Sequence, residues 1–376
     1  MIKKIQSITK LSQKLRCVIL ILIILTFSMC TKESETTHIK IDPEKAYDSD
    51  LPKLKITSIV PLETTTSSLL GKIEKMESID DKFYILDPRT GRSLMAFSKE
   101  GKFINKTDLG EGPGQIQRPQ SFTINRVDQK ILVYDFISYI NEYDLDLNFI
   151  SRTHFKGVPV VDFSITNQRD TIVYSHYEGD YVYTLYSGES NKKVKKYIED
   201  FKYSGVQGIN RSISNTHEIL FIAPYNYYVY RLKQDKITKG FYFDFGKYKL
   251  TEEDVKKGGV SGCWKLVRSG ERVSSLSNIS ETENFVSFSV KDYKERLFYS
   301  YSRKTNNLYK INNYFTSNQI PKCNIMSVSS EGDFFHALVD PDDLLEFQNK
   351  TGKKLIQEEI NADQNPYLLT FELTEK

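Results

Sequence analysis

The chain repeats a group of four short β-strand candidates about every fifty residues, and that repeat limits its folds more than any other feature. Lys82-Phe83-Tyr84-Ile85-Leu86 runs into Asp87, and Ile131-Leu132-Val133-Tyr134 runs into Asp135, 48 positions later. Around the first, strand candidates at 73–76, 93–97 and 103–104 are separated by Asp80-Asp81, Pro88-Arg89-Thr90-Gly91 and Ser98-Lys99-Glu100-Gly101. Around the second, 121–124, 139–143 and 147–150 keep the same rhythm. Glycine and aspartate suit these turns because they tolerate the backbone angles that tight hairpins need. A sheet of four short strands cannot bury both faces alone. Stacking several around an axis buries them and leaves only short edges. Roughly 320 residues after the first strand, at about fifty per unit, give six units. The predicted fold class is all-β, a six-bladed β-propeller. A pair of β-sandwiches is the alternative, and it accounts for the strands but not for the period. The 24 Tyr and 22 Phe suit a β protein.

The rhythm continues at 161–165, 171–174 and 181–185, then at 211–213, 218–222, 227–232 and 240–243. It resumes at 285–290, 296–301 and 307–311, and ends with 325–328, 333–338 and 367–373. Residues 51–62, LPKLKITSIVPL, read as a leading strand. Pairing of 54–60 with the last blade is the expected closure of the ring. Helix is scarce. Residues 250–257 are one candidate, with Thr251 as N-cap and Asp254 in a capping-box-like arrangement, and 342–350 are the other. The region 244–284, with Gly258-Gly259, Gly262, Cys263 and Trp264, is the least strand-like and is expected to depart from blade geometry.

Asp108-Leu109-Gly110-Glu111-Gly112-Pro113-Gly114-Gln115 is followed by Arg118-Pro119 and Phe122-Thr123-Ile124. With Ile59-Val60-Pro61-Leu62-Glu63, Leu70-Gly71-Lys72-Ile73 and the ending Asn365-Pro366-Tyr367-Leu368-Leu369, this segment resembles the six-bladed β-propeller lipoproteins of Bacteroides-type bacteria, relatives of NHL-like propellers. The resemblance covers 51–376. Gln115 stands where the family usually has Glu, and Asn125 where it has Asp. The resemblance implies fold and cell-envelope address and no particular activity. Physically, Gly110, Gly112 and Gly114 around Pro113 permit a compact turn. The segment lacks the Lys-Ser/Thr ending and following helix of a phosphate loop, so it reads as a structural turn between blades, with a ligand loop as the alternative.

The first thirty residues supply an address. Lys3, Lys4, Lys10, Lys14 and Arg16 precede the aliphatic run 18–25, and Cys30 follows after Thr26-Phe27-Ser28-Met29. This is the basic region, apolar region and cleavage zone of a secretory signal peptide, and the run is short for a membrane span. The cysteine resembles that of a bacterial lipobox, with Phe27 and Met29 as departures from the usual residues. Cleavage before Cys30 and acylation of its thiol are expected, making membrane lipid the first partner. The domain plan is a signal peptide at 1–29, a tether at 30–50 and the propeller at 51–376. Without the leader's five basic residues, 47 Lys and Arg face 49 Asp and Glu, a net charge of about −2. The chain therefore lacks the basic footprint of a nucleic-acid binder.

Cys263 and Cys323 are either a disulfide or two buried thiols, and exported proteins accommodate both. No cysteine or histidine spacing announces a metal or cofactor, and no GxSxG elbow is present. His154 and His176 are the closest histidine pair. Asp87 and Asp135 are expected to bond backbone amides in the following turns. Glu111 and Arg118 are candidates for the mouth of a pocket. Tyr225, Tyr227, Tyr228 and Trp264 are candidate contact residues, and adjacent Tyr227 and Tyr228 must point to opposite faces of a strand. Exposed aromatics stack on sugars or anchor protein interfaces, while buried ones pack between blades. The function expected is a membrane-anchored envelope propeller that binds a protein, peptide or glycan. The alternative is a propeller lyase or hydrolase acting on a polysaccharide or lactone, which needs His, Arg and acid groups converging near the axis.

Overall fold

Alternation with period two gives strands two apolar faces, and a strand apolar on both faces must lie between two other sheets. The computed structural model describes residues 36–44, 52–136, 138–155, 160–175, 181–190, 192–199, 213–215, 218–223, 225–233, 236–292, 295–328 and 332–374. Cys30 and His176 lie outside these residues. Six four-stranded antiparallel sheets form the body. Blade 1 is Lys75–Ile79, Lys82–Asp87, Ser93–Ser98 and Phe103–Lys106. Blade 2 is Pro119–Asn125, Lys130–Asp135, Tyr139–Tyr143 and Phe149–His154. Blade 3 is Asp162–Ile165, Thr171–Tyr174, Tyr181–Tyr186 and Lys193–Glu199. Blade 4 is Ile213–Asn215, Ile219–Ala223, Asn226–Lys233 and Lys236–Asp244. Blade 5 is Ser277–Glu281, Phe285–Lys291, Arg296–Ser302 and Leu308–Lys310. Blade 6 is Asn324–Val328, Phe334–Val339 and Tyr367–Thr374, completed by Lys53–Pro61 from the start of the body.

Each innermost strand touches the innermost strand of the next blade, and that of blade 6 touches that of blade 1. The ring is a closed six-bladed β-propeller. Its seam is Lys53–Pro61 paired antiparallel with Tyr367–Thr374, from Lys53 opposite Thr374 to Pro61 opposite Tyr367. The closure expected from the sequence is formed.

Alternate residues of one strand serve two interfaces. In blade 1, Tyr84 and Leu86 pack with Phe122, Ile124, Ile131 and Val133 of blade 2. Their neighbours Phe83 and Ile85 pack with Leu338 and Leu368 of blade 6. In blade 2, Leu132 and Tyr134 turn the other way, onto Phe163 and Val173 of blade 3. Each such side chain, taken fully out of water, contributes about 1.5–3 kcal/mol.

Antiparallel order puts the connections on two faces. Links between the first and second strands, and between the third and fourth, are tight turns on what we call the turn face. Links between the second and third strands, and from each fourth strand to the next blade, lie on the opposite loop face. The long connections 62–74, 107–118, 245–276, 311–323 and 340–366 all belong to the loop face.

One expectation is corrected, one is extended and one choice left open is decided. Residues 30–50 are not all tether, because Thr37–Lys40 adds a fifth, parallel strand to the outer edge of blade 4, with Thr37 opposite Phe241 and Lys40 opposite Asp244. Ile39 and Ile41 are buried there, which supplies the reason. The helix expected at 250–257 forms, with Thr251 and Asp254 in a capping box, and it breaks at Gly259, at φ 56°; a second helical segment, beyond the expected range, continues the element Glu252–Ser269. The continuation buries Cys263 and Val267 against Tyr225, Leu250 and Val255. Cys263 and Cys323 are free, buried and in separate core clusters, which is the two-thiol reading of the pair. The second helix is Pro341–Thr351, as its pattern predicts. The residues from Thr37 onward form one compact unit with its own core, the condition for a domain to fold alone.

Candidate functional site

Long connections carry function when a rigid scaffold holds them, and here the scaffold holds them with specific polar pins. Asp87 and Asp135 end the second strands of blades 1 and 2, and both are fully buried. The Asp135 carboxylate accepts the amides of Gln117 and Arg118, each at 2.9 Å. The Asp87 carboxylate accepts Gly71 N–H at 2.8 Å, and Thr90 and Gly91 N–H at 2.9 Å each. Each aspartate thus ties the connection that enters its own blade, and Asp87 also ties the turn that follows it. Asn365 is the third pin. Its Oδ1 accepts Leu70 N–H at 2.8 Å, and its Nδ2 donates to the carbonyls of Glu63 and Ser68, both at 2.8 Å.

These pins present apolar side chains to solvent. Leu69, between the pinned residues 68 and 70, is 55% exposed. Leu109 is half exposed on the two-residue strand Asp108–Leu109, paired in parallel with Gln115–Ile116. Phe136 is 46% exposed and follows the pinning Asp135 directly. The Arg118 guanidinium lies 4.8 Å from the centre of its ring, and Phe136 N–H donates to the Arg118 carbonyl at 3.0 Å. Leu345 is exposed on the helix Pro341–Thr351. All four sit on the loop face of consecutive blades 6, 1 and 2.

The Gly110–Gly114 loop packs on the outer strands of blade 2. Tyr143 donates its hydroxyl to the Gly114 carbonyl at 3.0 Å, and Arg152 donates to the carbonyls of Glu111 and Gln115. Gly110 and Gly114 have φ of 154° and 77°. A Cβ at Gly114 would come within 2.8 Å of the Phe149 side chain, so backbone and space both require glycine there. The Gln115 side chain accepts Gly112 N–H at 2.9 Å. Exposed Glu111 pairs with Gln117, and exposed His154 lies 5.2 Å from the Tyr139 ring on the outer strand of blade 2.

The aromatic candidates of blade 4 do not converge with these. Tyr225 is buried beneath the helix Glu252–Ser269, and Tyr227 is buried in the core that blade 4 shares with its neighbours. The Tyr227 hydroxyl accepts Leu250 N–H at 2.9 Å and donates to the Val273 carbonyl at 3.2 Å, and burial pushes its pKa up. Trp264 is half-buried on the same helix, 5.9 Å from the Lys291 ammonium. Tyr228 points to the opposite face of the strand, as the alternation requires, and is half-buried against the core, 4.5 Å from the Tyr242 ring.

At the axis, the innermost strands carry polar residues at alternate positions. The buried Lys75 ammonium donates to the Phe122 carbonyl at 2.7 Å and meets Asp162 Oδ1 at 3.1 Å and Glu77 at 3.0 Å. Asp162 also accepts Ser121 Oγ–H at 2.8 Å and Ile213 N–H at 3.1 Å. Burial works against the charge of Lys75, yet Asp162 and Glu77 hold its pKa above the ordinary lysine value. All three ammonium protons are used, so this group staples blades 1 to 4 rather than offering a nucleophile. His336 is buried in blade 6 and kept neutral. Among the described residues, no three His, Cys, Asp or Glu side chains group as metal ligands. Between blades 5 and 6, a cavity with about 30 Å³ of space for water is lined by Ser280, Ser287, Tyr299 and Ser327 among others. That is the size of a water site.

The comparisons add the following. A family model described as "Domain of unknown function (DUF4934)" matches residues 39–372. No curated protein matches the chain. Among solved structures, the chain is similar to an exported protein of Bacteroides fragilis NCTC 9343, with TM-score 0.74 and 18% identity over 91% of this chain and 100% of that one. It is more distantly similar to the WD40 repeats of RRP9, with TM-score 0.44 and 12% identity over 85% of this chain and 100% of that one. The Swd1 β-propeller of Myceliophteria thermophila gives TM-score 0.44 and 10% identity, over 86% and 100%.

Proposed function

The chain belongs to the family described as Domain of unknown function (DUF4934), whose model spans nearly the whole ring, and from that premise we propose that it is an exported lipoprotein whose loop face docks a partner protein of the cell envelope. Export and anchoring rest on the leader at 1–29 and on Cys30, and the fold likeness to the exported protein of Bacteroides fragilis agrees with that address. The anchor lies in the outer membrane, with the body facing the periplasm or the cell surface. The docking role rests on one observation: Leu69, Leu109, Phe136 and Leu345 are exposed on consecutive blades of one face, and the first three adjoin or lie within pinned connections. Interfaces are centred on such rigid apolar anchors, and aromatic residues beside arginine are over-represented among them. A peptide or glycan would need a groove, and a lyase or hydrolase a convergent acid–base set. The axial Lys75, Glu77 and Asp162 are instead committed to one another.

A photo-crosslinking residue placed at 136 or 109 in the full chain, in its native envelope, tests the reading. A discrete protein adduct from both sites, and none from Val127 on the turn face, is the expected result. Identical adducts from all three sites, or none from the loop face, refute it. Partition of the chain into detergent, and its loss on Cys30→Ser, checks the anchor independently.

A further inference from the structure

The N-terminal strand and a set of lysines share one rim of the ring, the strand along the loop-face half of the blade 4 outer edge and the lysines towards the turn face. Thr37–Lys40 runs parallel to Lys236–Asp244, which climbs from the turn face to the loop face. Thr37 therefore stands nearer the turn face than Lys40 does, about midway along the blade 4 edge, opposite Phe241. Six residues separate Thr37 from Cys30, so a lipid on Cys30 holds Thr37 within about 25 Å of the bilayer. That reach brings the outer edge of blade 4 to the membrane and by itself leaves the tilt of the ring open.

The lysines choose the tilt. The outermost strand of blade 3, Lys193–Glu199, also climbs from the turn face, and Lys192, Lys193, Lys195 and Lys196 at its start are all exposed. On blade 4, Lys233 and Lys236 flank the turn between the third and fourth strands, and Lys239 follows; all three are exposed. Blades 3 and 4 are neighbours, so these seven cations share the turn-face half of one stretch of rim. Among the described residues the nearby acids are exposed Glu189, half-buried Asp170 and half-buried Glu218, which is committed to Arg231 and Lys233; Asp235, in the turn between Lys233 and Lys236, lies outside them. The mature chain is slightly acidic as a whole, so this concentration is local.

We infer that the turn-face rim of blades 3 and 4 is a membrane-resting surface, whose lysines contact the phosphates of anionic lipid headgroups and turn the loop face away from the bilayer. The inference rests on acylation of Cys30 for its geometry, but the lysine contact is separable from the acyl chain. It leaves Leu69, Leu109, Phe136 and Leu345 accessible to a partner. Each basic residue close to an anionic surface contributes about a fivefold gain in partition, screened within a Debye length.

Residues 31–376, without leader or acyl chain, are mixed with phosphatidylcholine vesicles with and without 30% phosphatidylglycerol, at about 0.1 M and 0.5 M salt. Sedimentation with the acidic vesicles only, lost at high salt, is expected. Reversal of four rim lysines (K192E, K193E, K195E, K196E) should lower the partition at least about a hundredfold. Reversal of four exposed loop-face lysines (K322E, K350E, K353E, K354E) changes net charge equally and should leave partition within about threefold. Equal loss in the two variants overturns the proposal by showing general charge attraction. No binding by the wild-type chain also overturns it and leaves the lysines as protection of the blade 3 edge against strand pairing. Either failure leaves the acyl anchor untouched, because detergent partition of the full chain reads that separately.

Discussion

His336 gives the ring a pH dependence that the geometry sizes. The side chain sits on the second strand of blade 6, 7% exposed, with Nδ1 at 3.1 Å from Thr370 Oγ1 and its ring 4.8 Å edge-on to Phe83 of blade 1. Burial lowers its pKa from 6.5 to about 4. Above pH 6.5 the imidazole is neutral in the folded and unfolded chains alike, and no stability depends on it. As pH falls from 6.5 towards 4, the unfolded chain takes up a proton that the folded chain refuses, so stability falls with pH. The slope approaches about 1.4 kcal/mol per pH unit, and between pH 7.5 and 4.5 the loss is about 2.5 kcal/mol. Below the folded pKa the loss stops growing. The perturbation is His336→Gln, which keeps a polar group opposite Thr370 and cannot titrate, with His336→Leu as the apolar companion. Urea unfolding midpoints of residues 31–376 are measured from pH 7.5 to 4.5. The variants should lose about 2.5 kcal/mol less than the wild type over that range, whatever their stability at pH 7.5. Parallel pH curves for all three chains would refute the reasoning, as would a His336 ring proton titrating near 6.5.

Two further outcomes follow from buried groups. Asp135→Ala strips Gln117 and Arg118 of their amide acceptor and should cost about 3 kcal/mol, with faster hydrogen exchange at 117 and 118; wild-type exchange there would remove the pinning role. Cys263 and Cys323 are buried with pKa values raised by burial, so residues 31–376 should react slowly with a thiol reagent at pH 7.5 and yield two thiols on unfolding without reductant; thiols that appear only after reduction would restore the disulfide.

What was legible in the sequence follows burial. Blade 2 was readable because Ile131-Leu132-Val133-Tyr134 must be apolar on both faces, and Asp135 marks the place where the strand meets the loop face. The strands that escaped are those with a polar job. Ser277–Glu281, SNISE, is the innermost strand of blade 5. Lys193–Glu199 is an outer edge with exposed lysines at its start. Thr37–Lys40 carries only Ile39, continued by Ile41, as its signal. The second half of the helix Glu252–Ser269 escaped for the opposite reason. Gly258-Gly259 does stop the first segment, at Gly259, and the chain re-enters a helix where Cys263 and Val267 are buried by tertiary contact. The site was less legible still. Tyr225 and Tyr227 were conspicuous by type yet serve as packing. Leu69 and Leu109 were inconspicuous, and only the pins formed by Asn365 and the 108–116 loop, made from distant or coiled residues, place them in solvent.

The two faces of the ring follow from one topological fact. In an up-and-down blade, the links to the next blade and the links between the middle strands fall on the same side, so long insertions accumulate there without disturbing the sheets. Buried Asp87, Asp135 and Asn365 are the condition for that arrangement to be specific, because each removes the freedom that a long connection would otherwise have. The opposite face has only tight turns to work with, and its chemistry must come from the strand ends themselves. Lysine is the residue a strand end can carry without cost to the core, because its stem lies along the sheet while its charge stays in water. On the function proposed above, a partner protein docks on the loop face, where the pins hold the long connections. The electrostatic contacts of the inferred membrane-resting surface fall on the turn-face rim, and the lysines of blades 3 and 4, rather than the direction of Thr37–Lys40, set which face meets the membrane.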